Sequence, residues 1–139
     1  MAVAFQPFGA GFGSFESVYL GFEPFDLLRS TYLNAAHNDL AQIIIEGGMG
    51  AIALLVVFFW WWVRTTFVIW STRSSSQIAL LGRAATLATG FLLLASLFDY
   101  PLRTPLLACF FAVLAVWMQQ ARDQLAPLPV KDAPLEPSA

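Results

Sequence analysis

LAQIIIEGGMGAIALLVVFFWWWV, running from Leu40 to Val63, carries one charged side chain, Glu46, in 24 residues. At 1.5 Å per residue a helix of that length spans about 36 Å, enough to cross a hydrocarbon core of roughly 30 Å. Two further apolar runs follow, Ile78 to Phe98 and Pro101 to Met118. Arg83, near the first turn of the second run, is compatible with a membrane because its stem stays in lipid while the guanidinium reaches the headgroups. Pro101 suits the first turn of the third run, where its missing N–H has no intrahelical partner to lose. The sequence therefore predicts an all-α integral membrane protein of about three transmembrane helices, near 40–63, 78–98 and 101–118, with the last two forming a hairpin. The first helix is expected to overrun towards Trp70.

The rest of the chain agrees with this reading. A hydrophobic content of 58% with 12% charged residues is too apolar for a water-facing surface, which needs roughly a quarter charged. Net charge is −2 and the seven basic residues stand singly, so no cationic stripe is available to neutralise a run of phosphates, and nucleic acid is excluded as a partner. Cys109 is the sole cysteine, which rules out an internal disulfide and a multi-Cys metal site.

Residues 1–39 read as a loop segment ahead of a membrane domain at 40–118, and residues 119–139 as a tail whose four prolines from Pro127 onward predict disorder. Arg64, Arg73, Arg83, Arg122 and Lys131 flank the Ser-rich connection and the tail, against Arg29 and Arg103 on the other side. Positive charge is retained inside, so the connection and the C-terminus are expected in the cytoplasm, with residues 1–39 and the Asp99–Arg103 turn in the periplasm or its equivalent. Residues 1–39 contain no cationic n-region, unbroken apolar stretch or small-residue cleavage site. The simplest expectation is a missing N-terminal part whose helices deliver them across the membrane; the alternative is direct translocation of a short, nearly neutral tail.

Two stretches carry the candidate chemistry. In Gly9-Ala10-Gly11-Phe12-Gly13-Ser14-Phe15, alternating glycines remove side chains where the backbone turns sharply or approaches another group. The stretch is neither a dinucleotide fingerprint, which needs glycine where Ser14 stands, nor a P-loop, which needs a Gly-Lys pair; no cofactor is expected. The second stretch begins at His37. On a helix, Asn38, Asp39, Gln42 and Glu46 fall within an arc of about 100°, while Ala41, Gly48 and Ala51 form a small face suited to close helix packing. A polar stripe entering lipid is costly unless it faces a cavity or protein, so Glu46 is expected to point inward.

His37 is the only histidine, and the only side chain whose ordinary pKa suits proton exchange near pH 7. A lone histidine at a helix start also serves as a plain interfacial hydrogen-bonding group, and with no second His or Cys at ligand spacing no metal site is expected. Arg29 and Arg103, on the same expected side, have the fork geometry that recognises phosphate oxygens. The alternatives are local pairs, Arg103 with Asp99 and Arg29 with Asp26 or Glu23, each worth little at an exposed interface.

These stretches resemble a family of membrane glycan transferases: O-antigen ligases, O-antigen polymerases and related protein oligosaccharyltransferases. PFGAGFGSF (Pro7 to Phe15) is similar to the glycine-rich element ahead of that family's functional loop. HNDLAQIIIEGGMGA (His37 to Ala51) is similar to its pattern of His, then Asn, Ser or Gln, nine residues, Gly, two residues, and Gly, Thr or Tyr. His37, Asn38 and Gly48 fit, whereas Ala51 replaces the last position; DYPLRTP (Asp99 to Pro105) adds a weak further likeness.

The resemblance implies the C-terminal part of a multi-helix enzyme of the bacterial inner membrane. It would transfer a glycan from an undecaprenyl diphosphate carrier to an acceptor glycan, lipid or protein in surface polysaccharide biosynthesis, without a metal. It further implies His37 as the catalytic residue, with Asn38 beside it, and Gly9, Gly11, Gly13 and Gly48 as structural motif positions; Arg29, Arg103 and Glu46 join Asn38 as the substrate-binding candidates on their own chemistry, neither arginine matching a family motif position. The family's arginine-bearing upstream loop has no counterpart in this sequence, so the chain is expected to be inactive alone. The competing reading is a small non-enzymatic membrane protein whose polar stripe packs against partner helices in a complex or transporter.

Overall fold

A computed structural model describes residues 2–22 and 38–126. Its helices are α1 (Phe15–Phe22), α2 (Asp39–Ser71), α3 (Gln77–Ala95) and α4 (Pro105–Leu125), with short 3-10 turns at Ala2–Phe5 and Pro101–Arg103. Helices α2, α3 and α4 are each long and apolar enough to cross a membrane, and no strand occurs among the described residues. The protein is an all-α, multi-pass membrane protein.

Helix boundaries follow local chemistry. Asn38, in extended conformation, caps α2 by accepting the Ala41 N–H on its Oδ1 at 2.9 Å, and Asp39 places a carboxylate in the first turn. Helix α2 runs past Val63 to Ser71, where the Thr72 hydroxyl turns back to donate to the Val68 carbonyl at 3.0 Å. Ser76 caps α3. The third span starts later than the sequence predicted. A helix begun at Pro101 would put Pro105 where an N–H must bond the Pro101 carbonyl, and proline has none. The chain instead closes a single 3-10 turn, with Thr104 N–H on the Pro101 carbonyl at 3.2 Å, and starts α4 at Pro105.

Two other differences lie at the ends. Residues 119–125, expected in the tail, continue α4: Ala121 is buried against the bundle, and the helix ends at Leu125, with Ala126 as its C-cap just before Pro127. Residues 127–139, for which disorder was expected, lie outside the described residues. The N-terminal segment is more than a loop, since it contains α1, whose Phe15 is buried.

Helices α3 and α4 form the expected hairpin, and Ile69 of α2 completes a core with Ala85, Leu114, Met118 and Ala121. Gly82 permits this approach: a Cβ there would lie 2.6 Å from that of Ala121 and 3.3 Å from Ile69 Cγ2. Tryptophan indoles of α2 find hydroxyls on α3, Trp62 Nε1 donating to Thr89 at 3.0 Å and Trp70 Nε1 to Thr86 at 2.8 Å. Leu54, Phe67, Phe91 and Leu106 are exposed, the arrangement expected when lipid is the solvent.

Candidate functional site

Helix α2 is broken at Gly48, whose φ of 58° and ψ of −147° are not helical. A break inside an apolar span frees backbone groups that hydrocarbon cannot satisfy, so something must replace the lost bonds. The glycine-rich segment does so. Ala10 N–H donates to the Ile45 carbonyl and Gly11 N–H to the Glu46 carbonyl, both at 2.9 Å. Met49 N–H, which in an unbroken helix would bond Ile45, donates instead to the Pro7 carbonyl at 2.9 Å. The two stretches singled out by sequence thus interlock through their backbones.

The interlock leaves no room for side chains at two glycines. A Cβ on Gly9 would collide with the Glu46 carbonyl and the Gly48 nitrogen, and one on Gly48 with the Pro7 carbonyl and the Gly9 nitrogen. Both have positive φ, as do Gly11 and Gly13, but these last two have open space around them. Only Gly9 and Gly48 are therefore glycine for contact as well as for backbone angle.

Above the break lies a polar cluster. Asp39, Gln42 and Glu46 are 3%, 2% and 4% exposed, so the stripe faces protein and not lipid. Glu46 Oε1 accepts Gln42 Nε2–H at 2.9 Å and the Phe15 N–H at 3.3 Å, which ties α1 to the stripe. Asp39 Oδ2 accepts from the Ser96 hydroxyl and the Leu102 N–H, each at 3.1 Å, while Asp39 N–H donates to the Ser96 carbonyl. Arg103 comes between the carboxylates, its Nε 3.8 Å from Asp39 Oδ1 and its Nη2 3.7 Å from Glu46 Oε1.

Arg103 thus forms its ion pairs with Asp39 and Glu46 on α2, a long-range arrangement in place of a pair with Asp99 across the turn. Both separations exceed a hydrogen bond, and the side chain is 40% exposed, so its donors keep capacity for a further oxygen acceptor. Asn38 is already engaged at both ends of its amide, capping α2 and donating to the Leu97 carbonyl at 2.9 Å. The structure brings Asn38, Glu46, Arg103, Gly9, Gly11 and Gly48 to one end of the bundle. Gly13 follows Gly11 on the segment that leads into α1. His37 and Arg29 lie outside the described residues.

Asp39 and Ser96 were not singled out as site residues by sequence. Asp39 shares the arc of Gln42 and Glu46, a usable signal; Ser96 joins only through tertiary contact and carries none. Among the described residues no group of His, Cys, Asp or Glu side chains is placed to hold a metal ion. The arrangement is a partly open guanidinium held by two buried carboxylates, beside a helix break sealed by a glycine loop. Compared with protein-family models, curated proteins and solved structures, the chain matches none of them.

Proposed function

We propose that this chain is the C-terminal part of a membrane glycan transferase of the O-antigen ligase and polymerase kind, with the polar cluster at the periplasmic mouth of α2. The observation that supports it is the interlock: the two stretches that carry the resemblance are one structural unit, with Glu46 and Arg103 beside the break and Asn38, covalently joined to His37, at the helix entrance. Irregular backbone at membrane depth is tolerated where it is buried in protein or lines a cavity, the setting a lipid-linked substrate requires.

In this reading an acceptor hydroxyl oxygen bonds to the donor sugar C1 while the C1–O bond to the diphosphate breaks. The hydroxyl proton passes to the His37 imidazole, and the diphosphate leaves with the bonding electrons. Arg103 stands between two carboxylates, which offset its charge. It therefore suits the hydroxyl oxygens of an acceptor better than a diphosphate, whose charge falls to Arg29 and to arginines of upstream helices. The rival reading needs partner helices to satisfy the polar stripe, but Asp39 and Glu46 find hydrogen-bond donors within this chain.

In membranes containing the full-length enzyme, His37→Ala and His37→Gln are expected to lower glycan transfer by about 10²- to 10⁴-fold, with the lipid-linked donor accumulating. Undiminished transfer removes His37 from the chemistry. A second expectation concerns orientation: of the described arginines, Arg64, Arg73, Arg83 and Arg122 belong to the Ser-loop half and only Arg103 to the other. Ser75→Cys in a Cys109→Ala background should react with an impermeant maleimide only after the inner membrane is permeabilised. Reaction in intact spheroplasts would place His37 in the cytoplasm, away from the donor, and end the proposal.

A further inference from the structure

Between α2 and α3 a groove of about 470 Å³ runs along the bundle from Trp70 and Thr86 to Leu94. Trp62, Leu87, Gly90, Phe91 and Leu94 supply its apolar lining. A Cβ on Gly90 would stand in ordinary contact with the Trp62 ring, 3.4 Å from Cζ2, so a longer side chain there would occupy the groove. Leu87, Phe91 and Leu94 are exposed, so the groove opens to the surface that faces lipid. Its other part is polar, formed by Thr66, Trp70 and Thr86.

Arg83 stands at that polar end. It precedes Leu87, Gly90 and Leu94 on the same stripe of α3, one turn beyond the groove, with its guanidinium 5.9 Å from the centre of the Trp70 ring. Its Nη2 donates to the Thr72 carbonyl at 2.6 Å, which pins the side chain, but its Nε is buried without a hydrogen-bond partner. The Thr66 hydroxyl oxygen in the groove wall is likewise buried and unpartnered. The surrounding charge is cationic: among the described residues this half of the bundle carries Arg64, Arg73, Arg83 and Arg122 against Asp123.

We infer that this groove is a binding site for an anionic glycerophospholipid, with an acyl chain along Trp62, Gly90 and Leu94 and the phosphate accepting from Arg83. An apolar trough ending in an arginine matches one amphiphile with a negative headgroup, and basic sites at the ends of membrane helices select such headgroups. The site is independent of the glycan-transfer reading. It shares no residue with the polar cluster.

The test reads tryptophan emission of the full chain in phosphatidylcholine vesicles as either dibrominated phosphatidylglycerol or dibrominated phosphatidylcholine is titrated in. Half-maximal quenching is expected at about fivefold lower mole fraction of the glycerol lipid. Arg83→Gln should abolish that preference while Arg122→Gln retains it, and Gly90→Leu, which fills the trough, should reduce quenching by both lipids. Equal quenching by the two lipids in the parent chain overturns the proposal, as does a preference that survives Arg83→Gln, which would mark a general surface-charge effect. Resistance to quenching by either lipid would mean that protein covers the groove, and also overturns it. Circular dichroism of each variant confirms that helix content is unchanged.

Discussion

Gly9→Ala is expected to destabilise the protein by about 3 kcal/mol or more, the largest effect of any single methyl group added to the N-terminal segment. Two costs combine at this position: a positive φ of 79°, disfavoured for any residue with a Cβ, and collision of that Cβ with fixed backbone atoms of Glu46 and Gly48. The chain cannot yield by rotating a side chain, because the obstructing atoms belong to the helix break itself. Gly48→Ala should cost as much, since its Cβ meets the Pro7–Gly9 backbone from the other side.

Other glycines calibrate the scale. Gly11→Ala and Gly13→Ala meet open space and bear only the cost of positive φ, about 1–2 kcal/mol each. Gly50→Ala lies in helical backbone with nothing near its Cβ and should stabilise by up to about 1 kcal/mol. Because Gly9 and Gly48 close the same lock, the double variant should cost little more than either single one. Denaturant unfolding in mild detergent measures the series. A Gly9→Ala variant no worse than Gly11→Ala would mean that the loop does not seat on α2 as described.

Sequence reading reached the membrane class and the number of long spans because hydropathy and length depend on one segment at a time. It also reached the inward-facing stripe, since Asp39, Gln42 and Glu46 share a helix face by spacing alone. It could not foresee that α2 breaks at Gly48, because a glycine inside an apolar run reads equally as a packing position. The break becomes visible only when Pro7, Ala10 and Gly11 supply the backbone partners that an unbroken helix would have provided. The start of the third span is ambiguous locally, because Pro101 and Pro105 both suit a first helical turn and only a start at Pro105 leaves no proline inside the helix. The Arg103 pairing shows the same blindness to tertiary contact, for Asp99 is its near neighbour in sequence while Asp39 and Glu46 are its neighbours in space.

Asp39→Ala is the second variant expected to have a large effect, about 3 kcal/mol. This carboxylate does three things at once: it receives the Ser96 hydroxyl and the Leu102 N–H, and it faces the Arg103 guanidinium. It thereby hangs the α3–α4 turn on the first turn of α2. Alanine leaves two donors without an acceptor in a buried site and one guanidinium without half of its counter-charge. Asp39→Asn separates these contributions, because its amide oxygen still accepts while the charge is gone. The ion pair spans 3.8 Å to a side chain that is 40% exposed, so solvent screens it, and its loss should cost no more than about 1 kcal/mol. Arg103→Met should fall between the two, at about 2 kcal/mol, because it leaves the carboxylates of Asp39 and Glu46 buried together without a cation. Combining it with Asp39→Asn should then cost less than the sum of the single changes, since the second substitution removes part of the uncompensated charge that the first creates. Equal stabilities for Asp39→Ala and Asp39→Asn would show that hydrogen bonding to this carboxylate does not hold the turn, and that Arg103 is placed by packing of the Pro101–Arg103 turn instead.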